Sequence, residues 1–182
     1  MSKFLRHESC PRCLSEDNVA VYEGNSKHCF TPDCGYHVFG DNDEEMMETN
    51  PKLSMEGIVS SIPDRRITQN TANKYGVTVE FSPSGEISKH YYPYYCPDTG
   101  ELKGSKVRTV EGKGFHCTGN LQGTGLFAQK TCSGKGKYLT ITEGELDCLA
   151  VAEMFDCKWD VVSLRSGASS AVKEIKEALE FI

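Results

Sequence analysis

Nine cysteines are spread over the chain, and four of them, Cys10, Cys13, Cys29 and Cys34, fall within 25 residues as a C-x2-C pair and a C-x4-C pair fifteen residues apart. Zinc takes four thiolates in a tetrahedron, and two close pairs on facing turns present them at a small loss of chain entropy. Cys10-Pro11-Arg12-Cys13 reads as a knuckle turn, and Cys29-Phe30-Thr31-Pro32-Asp33-Cys34 as a wider one whose proline and aspartate suit a turn. Four thiolates close the coordination sphere, so such a site folds a module and catalyses nothing. His28 and His37, which flank the second pair, are expected outside that sphere, exposed or facing a nucleic acid. The competing reading is four reduced cysteines in a small core, but the segment holds too few apolar residues to fold without a staple. The other five, Cys96, Cys117, Cys132, Cys148 and Cys157, show no ligand pairing and read as small apolar residues.

A second group of chemically capable residues is Thr142-Glu143-Gly144-Glu145-Leu146-Asp147. Three carboxylates within five residues can supply oxygen ligands to a magnesium ion that bridges substrate phosphates. Acids also open helices simply to complement the dipole, which is the plain alternative for this segment viewed alone. A third group is basic. Between Lys103 and Lys137 lie Lys103, Lys106, Arg108, Lys113, Lys130, Lys135 and Lys137 against the single acid Glu111, a local charge of +6 within a chain of net charge −6. The overall charge argues against a simple nucleic-acid coat, whereas the local surplus can hold phosphates. Lys106 and Arg108 alternate onto one face of a strand, with Lys113 just beyond, and Gly112 and Gly114 let the backbone approach a polyanion. A solvated face is the alternative for each lysine taken singly. Jointly, the groups point to metal-assisted chemistry on nucleotide phosphates, with the cysteine module gripping a strand.

The elements that must position these residues can be read from pattern. Val19 to Tyr22 and the residues near Cys29 form the hairpin of a ribbon, and residues 1–40 are taken as that zinc-binding unit. Five acids in eight residues (Asp41, Asp43, Glu44, Glu45, Glu48) repel one another and bury nothing, so 41–52 reads as a solvated tether. In 53–136, Thr68 caps a short helix through Tyr75, with Gly76 ending it, and from Val77 to Phe115 β-formers alternate with turn signals as in antiparallel strands. Tyr91, Tyr92, Tyr94 and Tyr95 share one strand. They can pack or stack bases, and packing is the reading adopted. In 137–182, Tyr138–Thr142 reads as a buried strand, then a helix over 146–155 with its stripe at Leu146, Leu149, Ala150 and Met154. A second strand, Val161–Leu164, and a helix with Ala168, Val172, Ile175 and Leu179 in line complete a βαβα unit, which implies a parallel sheet. Glu143 then lies at the carboxyl end of a parallel strand, where open α/β sheets place their ligands.

Length bounds the answer: 182 residues suit one ordinary domain or two small ones. No apolar run approaches the roughly 18 residues of a membrane helix, and the N-terminal residues lack the apolar stretch of a signal peptide. A soluble, unexported, cytoplasmic protein is expected, in which reduced cysteines favour metal over disulfides.

The residues just described match a known pattern. The cysteine set, Lys106-Val107-Arg108 followed by Lys113-Gly114-Phe115, Gly125-Leu126-Phe127, the T-E-G-E-x-D segment, Val161-Val162-Ser163-Leu164 and Gly167-Ala168-Ser169 resemble the N-terminal half of the bifunctional primase-helicases of T-odd phages, relatives of the mitochondrial Twinkle helicase. The similarity runs nearly end to end, and the T-E-G-E-x-D segment with its strand and helix is characteristic of the Toprim fold. The resemblance implies an α+β chain, a zinc ribbon followed by a primase RNA polymerase domain with an incomplete Toprim α/β subdomain. It implies a DNA primase that reads a single-stranded template through the ribbon and makes short RNA primers from ribonucleoside triphosphates. A replicative helicase domain and a replisome DNA polymerase are its implied partners, in the infected cell. Glu143 matches the family's catalytic glutamate, and Lys106 and Lys113 match lysines that contact nucleotide phosphates or primer, with Arg108 beside them. One residue alters the usual spacing of the lysines, the second cysteine pair is wider, and Ser26 replaces a family histidine. The family's next strand carries a D-x-D pair that completes the magnesium site. The sequence ends before it, so weak or absent polymerisation is expected of these 182 residues alone. Rival readings are a non-catalytic DNA-binding or regulatory module, and a topoisomerase- or nuclease-type Toprim protein, for which no catalytic tyrosine motif stands out.

Overall fold

The computed structural model describes residues 3–12, 15–30, 36–38, 40 and 55–182. Cys13, Cys34 and the acidic stretch 41–52 lie outside the described residues. The first sheet is antiparallel with strands in chain order: β1 Phe4–Glu8, β2 Val19–Tyr22, β3 Lys27–Cys29 and β4 His37–Val38. The expected β2–β3 hairpin is present, turned by Gly24 and Asn25, both in the left-handed region. Its small core is Cys10, Val19, Val21 and Cys29, with Tyr36 packed against them.

Beyond residue 55, Thr68 caps α1 (Gln69–Lys74), its hydroxyl accepting from the Thr71 amide, and Gly76 with φ 68° follows the helix. A four-stranded antiparallel meander comes next: β5 Thr78–Phe81, β6 Ile87–Tyr95, β7 Leu102–Thr109 and β8 Phe115–Gly119. Alternation sends His90, Tyr92 and Tyr94 to one face of β6, opposite Arg108, Lys106 and Gly104 of β7. On that face Tyr92 and Tyr94 are fully buried around Phe127, whose ring meets theirs at 5.9 and 5.8 Å between centroids. Tyr92 and Tyr94 are therefore packing residues, while Tyr95 on the other face is part-buried with Lys130 Nζ 4.1 Å from its ring centroid.

The parallel pair is β9 Thr140–Thr142 with β10 Val161–Ser163, joined through α2 (Glu145–Met154) and followed by α3 (Ala171–Glu177). Phe127 and Ser163 exchange both backbone hydrogen bonds, so Gly125-Leu126-Phe127 lies antiparallel along β10 and fastens the meander to it.

Three details of the sequence reading are corrected. The strand at 138–142 covers only 140–142, and Tyr138 is exposed. The buried face of α2 is Glu145, Cys148, Leu149 and Ala152, while Met154 points to solvent. In α3 the predicted Ile175 packs on the core, and Glu174 and the capping Ala178 are buried, but Val172 and Leu179 are exposed and Ala168 belongs to a separate 3-10 turn. In both helices a glutamate occupies the core-facing row. A search for apolar stripes passes over such a residue, so the inferred stripe rotates away from the true one.

Candidate active site

The chain turns sharply at Glu143-Gly144, from β9 into α2. Gly144 is extended and precedes the helix, Glu143 is exposed, and Asp147 is exposed one turn into α2. A Cβ placed on Gly144 would stand 3.5 Å from Asp147 Oδ2, so that carboxylate folds back over the elbow. Across the parallel pair, Gly167 follows β10 with φ 80° and ψ −174°, a conformation essentially restricted to glycine. Its Cβ would lie 3.6 Å from Glu143 Oε1. The Glu143 carboxylate thus sits between the elbow and the loop of residues 165–167.

Glu145 occupies a different environment from its neighbours. It is 4% exposed, accepts a 2.6 Å hydrogen bond from the Tyr94 hydroxyl, and lies 3.0 Å from Lys106 Nζ. Burial, reinforced by the adjacent Glu145 charge, pushes the Tyr94 phenol well above its ordinary value, so it remains a donor. Lys106 also donates to the Arg165 carbonyl at 2.8 Å. One ammonium therefore ties β7 to α2 and to the loop beside Glu143. The sequence reading grouped Glu145 with the magnesium ligands. Its oxygens are engaged by Lys106 and Tyr94, whereas Glu143 and Asp147 are exposed.

The loop is held from its other side by α3. Glu174, itself buried, accepts from the backbone amides of Arg165 at 2.6 Å and Ser166 at 3.0 Å. The Arg165 guanidinium reaches Thr124 O at 2.8 Å and Glu177 at 2.8 Å. These charge-assisted bonds fix the backbone that positions both Lys106 and Glu143.

Lys106 and Arg108 share a face as expected. Both cations approach one ring, Phe115 on β8, at 5.2 and 5.8 Å from its centroid. Lys113 is exposed on the β7–β8 turn, two residues before Phe115, in a left-handed conformation with Gly112 preceding it. Glu174 and the Arg165 side chain were not singled out from the sequence, and Tyr94, Gly167 and Phe115 entered that reading only as members of a strand or of the family motifs, with no role at the site. The legible signal would have been a charged residue in the core-facing row of each helix, since such a charge needs a named partner.

In the first sheet, Cys10, in the loop after β1, and Cys29, at the end of β3, meet in one buried cluster, and the Arg12 amide donates to Cys10 Sγ at 3.4 Å. An amide directed at a sulfur two residues back and two converging thiols fit one half of a tetrathiolate zinc site. The described residues alone contain no group of three or more potential metal ligands, and Cys13 and Cys34 lie outside them. His28 and His37 are exposed neighbours across β3 and β4, with ring centroids 5.6 Å apart.

The chain is thus a mixed α+β protein with an acidic elbow at the edge of a parallel pair, an ion-paired lysine on a facing strand and a small cysteine-bearing sheet. Comparison narrows this. No family model matches the chain. It is 30% identical to a DNA helicase/primase of Enterobacteria phage T3 over 99% of its own length, and spans about a third (33%) of that relative. It superposes on the primase fragment of the bacteriophage T7 primase-helicase with a TM-score of 0.59 and 27% identity, covering 97% of this chain and 74% of that one. A T7 assembly of lagging-strand DNA polymerase with primase domains bound to an RNA/DNA hybrid and dTTP matches with a TM-score of 0.55 and 28% identity, covering 93% and 71%. The chain is thus related to the phage primase-helicases, in the region represented by the T7 primase fragment.

Proposed function

We propose that the chain acts as the primase part of a phage primase-helicase, taking a single-stranded DNA template on a zinc ribbon and ribonucleotides in the cleft between β7 and the Glu143 elbow. In this reading residues 1–40 are the ribbon, 41–52 a tether, 53–136 the antiparallel part of the primase domain, and 137–182 part of a Toprim subdomain. The observation that carries the proposal is the convergence at one loop. Lys106 bonds the Arg165 carbonyl, and two residues later Gly167 abuts the Glu143 carboxylate. Lys106, proposed to neutralise phosphate, and Glu143, proposed to accept a proton, thus both adjoin the loop of residues 165–167, which supports their acting on one substrate.

Primer growth joins a 3′-hydroxyl oxygen to the α-phosphorus of an incoming nucleotide and releases pyrophosphate. Glu143 accepts the hydroxyl proton or orients the hydroxyl, while Lys106, Arg108 and Lys113 hold the triphosphate. Glu143 and Asp147 are the residues that would hold magnesium, which when bound neutralises developing charge on the phosphates. Zinc on Cys10, Cys13, Cys29 and Cys34 would order the ribbon that meets the template. The helicase and polymerase in the matched phage proteins supply the expected partners.

The test is ribonucleotide incorporation on a short single-stranded template, with and without magnesium, for the chain and its Glu143→Gln variant, each supplied with a segment carrying the D-x-D strand that completes the magnesium site. Metal-dependent synthesis that drops at least about a hundredfold in the variant is the expected result. Template binding without metal-dependent synthesis in either protein, even with that segment supplied, or equal synthesis by both, would instead favour a DNA-binding module. The engagement of Glu145 by Lys106, which leaves two exposed carboxylates at the elbow, is the observation on that side.

A further inference from the structure

A large aromatic side chain stays half-exposed beside the two cations of β7. Phe115 is 47% exposed, although it begins a strand whose Cys117, two residues on along the same face, is buried. It lines a cavity of about 470 Å³ together with Lys106, Arg165, Ser166, Ser169 and Ser170. Glu16 and Asp17 of the first sheet close the other side. Lys106 and Arg108 lie within 6 Å of the ring centroid, so the ring is flanked by two cations and keeps open area toward solvent. Arg108 Nε is buried and has no acceptor among the described residues, an unmet donor next to the ring.

The geometry points to Phe115 as a stacking platform for a nucleobase whose phosphates are held by Lys106, Arg108 and Lys113. Three features select this ligand chemistry. An exposed ring supplies a π-face on which any base can lie, and base–aromatic stacking is sequence-tolerant. Cations at both the ring and the cavity wall attract the phosphates that accompany a base but not a neutral aromatic metabolite. The cavity is also within the size range of small-molecule and cofactor sites, and so has room for a nucleotide. Glu16 and Asp17 disfavour phosphate on the first-sheet side and can accept from base amino groups, which orients the phosphates toward β7. The inference deepens the primase reading and rests on it. It assigns a binding residue to the same cleft, and the base can come from an incoming nucleotide or from a DNA strand.

The experiment uses the whole chain in a Trp159→Phe background and three probes: ATP, an oligodeoxythymidylate of eight residues, and inorganic tripolyphosphate. Phe115→Ala is expected to weaken ATP or oligonucleotide binding by ~5- to 100-fold, the equivalent of one lost stacking contact, while leaving tripolyphosphate binding within about twofold. Phe115→Trp is expected to restore affinity, with fluorescence quenched by the base-containing probe. Loss confined to ATP assigns the platform to the incoming nucleotide, and loss confined to the oligonucleotide assigns it to the strand. Unchanged binding of both by Phe115→Ala, or an equal loss of tripolyphosphate, overturns the stacking assignment and leaves the primase reading intact. Failure of the unsubstituted cleft to bind any of the three overturns both. Phe115→Leu controls for packing and is expected to behave as Phe115→Ala.

Discussion

Glu143 and Glu145 are two residues apart and chemically identical, yet substitution should separate them cleanly. Glu145 is buried against Lys106 and Tyr94, so Glu145→Ala leaves a largely buried ammonium uncompensated and should cost about 3–5 kcal/mol in urea unfolding. Glu143 is exposed, and Glu143→Gln should shift stability by less than about 0.5 kcal/mol while abolishing synthesis. Equal stability losses would refute the assignment of anchor and reactive carboxylate. His90 makes a second residue-scale prediction. Burial pulls its imidazole down to about 4, with Arg108 and Arg65 adding to the effect and Asp64 opposing it, while the Tyr92 hydroxyl meets Nδ1. The folded value lies below the unfolded one, so the unfolded chain binds the proton first. Stability from the neutral ring is complete above pH 6.5 and is lost as pH falls toward 4, about 3 kcal/mol in all. His90→Phe should flatten that part of the pH–stability curve relative to the unsubstituted chain. A parallel decline in both would show that other groups cause it. At this scale the sequence was partly legible. Spacing singled out the acids and the lysines, but no pattern tells a reactive glutamate from a buried one without knowing which helical row faces Tyr94.

The strand–loop–helix element that ends at α3 behaves as a support for the elbow. Glu174 gathers the amides of Arg165 and Ser166, and the constrained Gly167 completes the bend beside Glu143. Gly167→Ala should cost about 1–3 kcal/mol, because the added Cβ meets backbone strain and not a neighbouring atom at clashing distance. The relaxed loop should also move the Arg165 carbonyl from Lys106, so synthesis should fall more than stability explains. Comparing Gly167→Ala with the stability-matched Leu164→Ala is the check, and equal activity would show that the loop merely folds. The βαβα order of this element was readable from short apolar runs and turn residues, and so was the meander before it. Helix faces were not, because both helices bury a paired glutamate where a stripe search expects an apolar residue.

The way the whole molecule is assembled makes the first sheet the part most open to independent loss. Among the described residues, polar hydrogen bonds join it to the rest: Arg12 Nε donates to the Cys117 carbonyl at 3.4 Å, and Ser170 Oγ to Glu16 at 3.2 Å. A cavity of about 510 Å³ lined by Glu16, Lys27, Arg165 and Lys173 occupies the seam. Polar seams of this kind permit relative motion. Among the described residues the sheet's core is four side chains and Tyr36, so under the zinc proposal coordination at Cys10, Cys13, Cys29 and Cys34 supplies a large part of its stability. Removing one zinc per chain with a chelator should therefore erase hydrogen-exchange protection in β1–β4, while amides of β5–β8, anchored by Tyr92, Tyr94 and Phe127, keep theirs. Template binding should fall with the protection of the first sheet, whereas tripolyphosphate binding at Lys106 should persist. Protection of β1–β4 that survives complete metal removal would mean the sheet folds on its own core, and the four cysteines would then need another explanation.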